Sequence, residues 1–217
     1  MPRRLALLLA LVATTVASLH AGQAPDGAWP IIAARFAQRV QETGIVGASL
    51  LFVKDGSTRH EVVAGLQDRE TRRPVDRDTI FHWASITKTF TGVAIMQLRD
   101  RGLLSLDDPV VKYVPELREV HNPFGDIAQV QIRHLMAHSG GFRAGTWPWG
   151  GDQPWHPFEP TRWAQLVAMM PYTTLTFAPG TQYSYSNPGV VFLGRIIASS
   201  SGDDYEASVT KTTLMPP

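Results

Sequence analysis

The chain has 217 residues, of which 44% are apolar and 18% charged, a balance typical of a folded globular protein rather than a disordered one. Its formal net charge of +1, without a long basic run, argues against nucleic acid as the main partner. The sequence contains no cysteine, which excludes disulfides, thiolate zinc sites and cysteine nucleophiles. The length fits one domain or at most two.

The N-terminus has the pattern of an export signal. Arg3 and Arg4 precede an uncharged run, 5–19, that consists mostly of Leu, Ala and Val. This run is too short to span a bilayer comfortably and is typical of a secretory signal peptide. We therefore expect a signal peptide over 1–24 and a periplasmic or secreted location. The alternative is an uncleaved N-terminal anchor, which would be the only attachment to a membrane.

The next segment predicts one helix and one hairpin. Apolar residues recur at helical spacing over 30–42. Two short apolar runs, 48–53 and 60–66, flank Asp55-Gly56, a dipeptide that is a strong hairpin signal. The polar segment 68–78 is expected to be a loop. A two-stranded hairpin is marginal in water, so this one is expected to need partner strands.

The rest of the chain predicts helices and no convincing strand. Helical periodicity with stop signals is found at 85–101, a short piece opened by Pro109, 132–137, 163–170 and 187–201. Four prolines within 146–161 exclude regular structure there. Trp149 lies in this stiff segment and is a candidate substrate-binding residue at the mouth of a cleft. A ring that merely caps the core is the alternative for this tryptophan.

Ser85 and Lys88 form the first candidate catalytic pair. The sequence Ser-Ile-Thr-Lys places a hydroxyl and an amine three residues apart at a predicted helix start, on one face of the helix. A serine needs a base within hydrogen-bond reach to become a nucleophile, and a buried lysine amine can be that base. The spacing alone is weak evidence, because Ser208 and Lys211 repeat it. The alternative for Ser85 is a helix N-cap.

Tyr185 and Asn187 form the second candidate pair, in the one Tyr-x-Asn of the sequence. A tyrosine beside a lysine ammonium can lose its proton more readily and then serve as base or acid. An asparagine can hydrogen-bond both a lysine and a substrate amide. The alternative for Asn187 is a helix cap, because Pro188 suits the first helical turn.

His134 and His138 are four residues apart on a predicted helix, as zinc ligands can be. Leu135 stands where the zinc-peptidase motif carries its glutamate, so packing or hydrogen bonding is the favoured role for both histidines. The sequence has no nucleophile elbow, dinucleotide-binding motif or P-loop. We therefore expect no cofactor and no metal, and a small-molecule or peptide substrate.

Taken in order, these segments resemble the serine β-lactamase-related family, which includes class C β-lactamases, D-alanyl-D-alanine carboxypeptidases and penicillin-binding-protein-like esterases. The resemblance covers about residues 31–217 and is carried by 44–56, 81–90, 102–109, 135–141 and 179–187. Each motif is weak when taken alone. Five motifs in the order and spacing of the family are a strong indication.

The resemblance implies an α+β fold of the β-lactamase/transpeptidase type, in which a helical region follows an N-terminal helix and an antiparallel hairpin. It divides the domain at 25–217 into a first part of the α/β subdomain at 30–80 and a mainly helical subdomain at 81–217. The sheet strands that the family carries toward its C-terminus are missing from this sequence, so we expect a truncated chain.

The resemblance also implies a role for each candidate residue. Ser85 would be the acylated nucleophile, and its backbone N–H one oxyanion donor. Lys88 would activate the serine, and Tyr185 would carry the proton to the leaving group and from the deacylating water. Asn187 would orient Lys88 and the substrate amide. These roles describe a serine hydrolase acting on a lactam, a D-amino-acyl peptide or an ester through an acyl-serine.

One family motif has no suitable counterpart. It consists of Lys or His, then Ser or Thr, then Gly, on a strand downstream of the tyrosine. His138-Ser139-Gly140 fits but precedes Tyr185, and Lys211-Thr212-Thr213 lacks the glycine and has helical character. We therefore expect impaired or no activity from the chain as given. The alternative function is a non-catalytic remnant or ligand-binding module of the same fold.

Overall fold

The computed structural model describes residues 27–145 and 160–215, which form two compact units that divide between Phe81 and His82. The predicted signal peptide at 1–24 and Trp149 lie outside the described residues. Among the residues described, no helix combines the length and the apolar character that crossing a membrane requires.

The first unit contains the predicted helix and hairpin, and both predictions are confirmed. Helix α1 spans Trp29–Glu42, and strands β1 (Gly47–Lys54) and β2 (Ser57–Gly65) pair antiparallel. Asp55 and Gly56 both have positive φ (54° and 70°), as a two-residue hairpin turn of the primed type requires. Helix α1 packs against the hairpin, where the rings of Trp29 and His60 stack at 4.9 Å between centroids.

The second unit is built from helices and short turns. The α-helices are α2 (Thr87–Asp100), α3 (Ile132–Met136), α4 (Trp163–Val167), α5 (Asn187–Ser201) and α6 (Tyr205–Val209). Short 3-10 turns connect them at Ala84–Ile86, Val110–Lys112, Pro115–Glu119, Ile127–Gln129 and Met170–Tyr172. The described residues therefore have an α+β architecture with a two-stranded sheet.

The core of the second unit lies where α2 and α3 pack against α5. Residues Phe192, Leu193, Ile196 and Ile197 of α5 recur at helical spacing, and all four are buried. Burial of each such side chain contributes about 1.5–3 kcal/mol to folding. These four side chains fix the position of α5, and with it the segment that precedes the helix.

The start of α5 corrects one alternative considered for Asn187. The N-cap is Ser186, whose Oγ accepts a hydrogen bond from the Gly189 N–H at 3.1 Å, while Asn187 is the first helical residue. Serine and asparagine are comparable caps, and Pro188 fits either register of the first turn. Because Asn187 is not the N-cap, its side chain is not used to cap the helix. The helix ends as predicted at Gly202, which has φ +79°.

The last described residues are helical and are attached to α2. Residues Thr210–Leu214 form a π-helical turn directly after α6. The Gln97 side chain donates to the Thr212 carbonyl at 2.9 Å and accepts from the Thr213 hydroxyl at 3.0 Å. The segment Lys211-Thr212-Thr213 is therefore helical, as its sequence indicated, and does not provide the strand-borne motif of the family.

Candidate active site

Ser85 lies in a strained turn immediately before α2. It is the middle residue of the 3-10 turn Ala84–Ile86, and Ala84 has φ +46°, a conformation that residues with a Cβ rarely adopt. Such strain persists only where the surrounding structure enforces it, and it is common at active sites.

Ser85 is not the N-cap of α2, because Ile86 occupies that position. This corrects the alternative considered for Ser85.

The side chains of Ser85, Lys88 and Tyr185 meet at one point, and we refer to them as the Ser–Lys–Tyr cluster. Ser85 Oγ lies 2.7 Å from the Tyr185 hydroxyl, at hydrogen-bond distance, and Lys88 Nζ donates to Ser85 Oγ at 3.2 Å. Lys88 Nζ also lies 5.0 Å from the centroid of the Tyr185 ring. Ser85 and Tyr185 are one hundred residues apart in the chain, yet their hydroxyl groups lie within hydrogen-bond distance of each other.

The electrostatics of the cluster make Tyr185 easier to ionise. Hydrogen bonding to Lys88, and then to Ser85, lowers the pKa of Tyr185 below its ordinary value, and slight burial only partly opposes this. The nearby positive charge of Lys88 acts in the same direction. A phenolate at this position can accept the proton of the Ser85 hydroxyl.

Asn187 lies two residues after Tyr185, at the start of α5, and does not join the cluster directly. Among the described residues, no hydrogen bond links its side chain to Lys88. Both residues line a cavity of about 570 Å³ that lies between α2 and α5, and whose other walls include Trp163, Leu166 and Val190. The lining does not include Ser85 or Tyr185, so the cavity adjoins the cluster rather than containing it.

His134 and His138 both bond to the backbone, in line with the favoured prediction for them. His134 Nδ1 accepts from the Gln131 N–H, and His138 Nδ1 accepts from the Ser186 N–H, each at 3.2 Å. Burial lowers the pKa of each histidine. Within residues 27–145 and 160–215, no group of three or more His, Cys, Asp or Glu side chains is placed to hold a metal ion.

The second Ser-x-x-Lys does not form a site. Ser208 is buried on α6, and Lys211 pairs with Asp203 at 2.9 Å. The two Ser-x-x-Lys motifs have the same spacing, and their different surroundings distinguish them.

Comparison with known proteins identifies the family. The β-lactamase family model matches residues 32–216, nearly all of the chain. The chain belongs to the β-lactamase family. It is 31% identical to the esterase EstB from Burkholderia gladioli over 193 residues, which cover 83% of this chain and 47% of EstB.

Solved structures agree with this membership. The β-lactamase-family chain aligns to an octameric penicillin-binding protein homologue from Pyrococcus abyssi with a TM-score of 0.71 and 34% identity, covering 85% of this chain and 42% of that one. It aligns to a class C β-lactamase with a TM-score of 0.72 and 27% identity, covering 90% and 50% of the two chains. The predicted family and fold class are thus confirmed. The chain spans about half the length of the relatives it matches.

Two features of this candidate site were missed by the sequence interpretation. The left-handed backbone of Ala84 has no local signal, because alanine favours helical φ angles. The rings of His138 and Tyr185 are in contact with 4.6 Å between their centroids, whereas the sequence analysis considered that histidine for metal binding, packing or hydrogen bonding and not as a neighbour of Tyr185. The turn-forming residues Ser139-Gly140-Gly141, which directly follow His138, were the signal in the sequence that could have pointed to this residue.

Proposed function

We propose that the chain is a serine hydrolase domain that forms an acyl-serine on Ser85. The observation that carries this proposal is the convergence of the Ser–Lys–Tyr cluster, with 2.7 Å and 3.2 Å contacts on the Ser85 hydroxyl. A serine nucleophile requires a base within such reach. Membership of a family that contains β-lactamases and an esterase supports the same chemistry.

The acylation step follows from the cluster geometry. The Tyr185 phenolate takes the proton of Ser85 as Oγ bonds to the substrate carbonyl carbon, which gives a tetrahedral oxyanion. The backbone N–H of Ser85 is a candidate donor to this oxyanion. The bond from the carbonyl carbon to the leaving oxygen or nitrogen then breaks, and the Tyr185 hydroxyl returns the proton to the leaving group.

Deacylation reverses the same proton path. Water adds to the acyl carbon while Tyr185 takes its proton, the bond to Ser85 Oγ breaks, and Ser85 recovers the proton. Lys88 donates to Ser85 Oγ at 3.2 Å, and its positive charge stabilises the phenolate that begins and ends each half-reaction. Asn187 and Trp149 are proposed to contact the substrate, Asn187 from the wall of the adjoining cavity.

The substrate class is proposed as a lactam, a D-amino-acyl peptide or an ester, because all three pass through an acyl-serine. We also propose slow or absent turnover by the 217-residue chain. The family motif expected to supply the second oxyanion donor has no suitable counterpart, and loss of one such donor costs about 10²–10³ in rate. A periplasmic or secreted location is proposed from the N-terminal pattern of Arg3, Arg4 and the apolar run at 5–19.

Labelling with a fluorescent penicillin tests the proposal, because it detects acylation without needing turnover. We expect labelling of the folded chain that disappears in Ser85→Ala. Ser208→Ala is a matched control, because it removes the serine of the second Ser-x-x-Lys, and it should label like the unaltered chain. If the folded protein resists this probe and a chromogenic ester alike, the non-catalytic alternative replaces the hydrolase.

A further inference from the structure

We propose that His138 is a positioning residue for Tyr185, which it holds by two backbone hydrogen bonds and a ring contact so that the phenol reaches Ser85 and Lys88. The inference rests on the proposed function for what Tyr185 does in catalysis. The holding contacts themselves are independent of that function.

His138 binds the residues on both sides of Tyr185. The Ser184 N–H donates to the His138 carbonyl at 2.8 Å, and the Ser186 N–H donates to His138 Nδ1 at 3.2 Å. A backbone segment fixed at two amides that flank one residue has little freedom to rotate. The direction in which the Cβ of Tyr185 leaves the backbone is therefore restricted by His138.

The ring of His138 supports Tyr185 from one face. The two rings have centroids 4.6 Å apart with a 36° tilt, and Tyr183 meets the same imidazole edge-on at 5.9 Å. The edge-on contact of Tyr183 is one of the arrangements that aromatic pairs prefer. With its backbone bonded on both sides and its ring contacting His138, Tyr185 is directed toward the cluster.

The backbone of His138 is itself fixed in an uncommon conformation. Its φ is +53°, which residues with a Cβ rarely adopt. The next residue holds the turn on both sides, since the Ser139 N–H donates to the His134 carbonyl at 2.7 Å and the Gly180 N–H donates to the Ser139 carbonyl at 2.8 Å. Strain enforced in this way is typical of functional positions.

The charge state of His138 suits this role. Because Nδ1 accepts the Ser186 N–H, the imidazole is neutral with its proton on Nε2. Burial lowers the pKa of His138, and the positive charge of Lys88 lowers it further. The groups that face the ring are Lys88, Tyr183 and Tyr185. A neutral ring adds no second cation to compete with Lys88 for the phenolate.

Titration of Tyr185 in the 217-residue chain tests the inference. Tyrosine labelled with 13C at Cζ reports each of the five phenols by NMR, and Tyr185→Phe assigns the resonance. In the unaltered chain we expect the pKa of Tyr185 to lie below the ordinary tyrosine value of about 10. If His138 holds the phenol beside Lys88, His138→Ala should raise that pKa toward the ordinary value.

A second variant keeps the test decisive if His138→Ala fails to fold. Asparagine tolerates a left-handed φ and offers an acceptor to the Ser186 N–H, but lacks the ring. His138→Asn should therefore raise the pKa of Tyr185 by less than His138→Ala does. His121→Asn replaces an exposed histidine and should leave it unchanged.

The inference is overturned if either His138 variant keeps its helical circular dichroism and the unaltered Tyr185 pKa. Failure of the proposed function has a different signature. In that case Ser85 does not become acylated while the pKa of Tyr185 still responds to His138.

Discussion

Removal of the Tyr185 hydroxyl should abolish most of the acylation rate while leaving the fold intact. Tyr185→Phe deletes the 2.7 Å contact with Ser85 and the hydroxyl proposed to carry the proton. A positioned general acid or base contributes about 10²–10⁴ in rate. At about 1.4 kcal/mol for each tenfold change, this corresponds to a barrier higher by about 3–5 kcal/mol.

Stability should change little in the same variant. Tyr185 is 36% exposed, and a phenylalanine ring keeps the 4.6 Å contact with His138. Substitutions at exposed sites without a special role usually lie within about 0.5 kcal/mol. A large loss of rate with an unchanged free energy of unfolding would therefore separate a chemical role from a structural one.

The assay is the time course of Ser85 labelling by a fluorescent penicillin, with urea unfolding measured on the same samples. Tyr183→Phe is the matched control, because Tyr183 lies two residues away, is 71% exposed and also contacts His138. Its labelling rate should equal that of the unaltered chain. A loss of less than about tenfold in Tyr185→Phe would refute the assignment of proton transfer to Tyr185.

Three further predictions concern the elements that support the site. Ser186→Ala removes the side chain that caps the Gly189 N–H and should lower the free energy of unfolding, measured by urea unfolding, by about 0.5–2 kcal/mol. An unchanged free energy of unfolding would contradict the capping role of Ser186. Ile196→Ala empties a fully buried position and should cost about 2–5 kcal/mol, whereas Val191→Ala on the exposed face should cost much less; equal effects would contradict the assigned core. Burial lowers the pKa of His134, so the unfolded chain takes up the proton first as the pH falls. The stability from this neutral histidine is therefore complete above about pH 6.5 and is lost as the pH falls through the lowered pKa. His134→Gln keeps a side-chain acceptor at the third helical position and should flatten this decline in urea titrations; an unchanged slope would exclude His134 as its source.

Local chemistry explains why much of the fold could be predicted from the sequence. The Asp55-Gly56 turn requires two positive φ angles, and these residues accept them more readily than most others. The apolar spacing of α5 and the glycine that ends it fix both the buried face and the C-terminus of that helix. Each of these signals acts within a few residues of the chain.

The cap of α5 shows where local signals fail. Ser186 and Asn187 are adjacent, and both residue types cap helices well. Which of the two residues becomes the cap depends on the burial of Ser186 and on the hydrogen bond from the Ser186 N–H to His138, which lies 48 residues away in the chain. Propensity alone does not contain that contact.

The convergence of the candidate site was also beyond spacing arguments. Ser85 and Lys88 share a helix turn, but Ser208 and Lys211 share one equally well. Tyr185 joins the first pair because α2 and α5 pack together through buried side chains. The sequence indicated this meeting only through its resemblance to a family, and the left-handed Ala84 and His138 remained unpredicted.

The most direct test of the account is to locate the acyl group after the chain reacts with a penicillin. Tryptic cleavage releases residues 78–88, in which Ser85 is the one serine, and residues 196–211, which contain Ser208. We predict that mass spectrometry will find the added acyl mass on the first peptide and that fragmentation will place it on Ser85. An adduct on any other residue, or equal modification of the Ser85→Ala protein, would contradict the account.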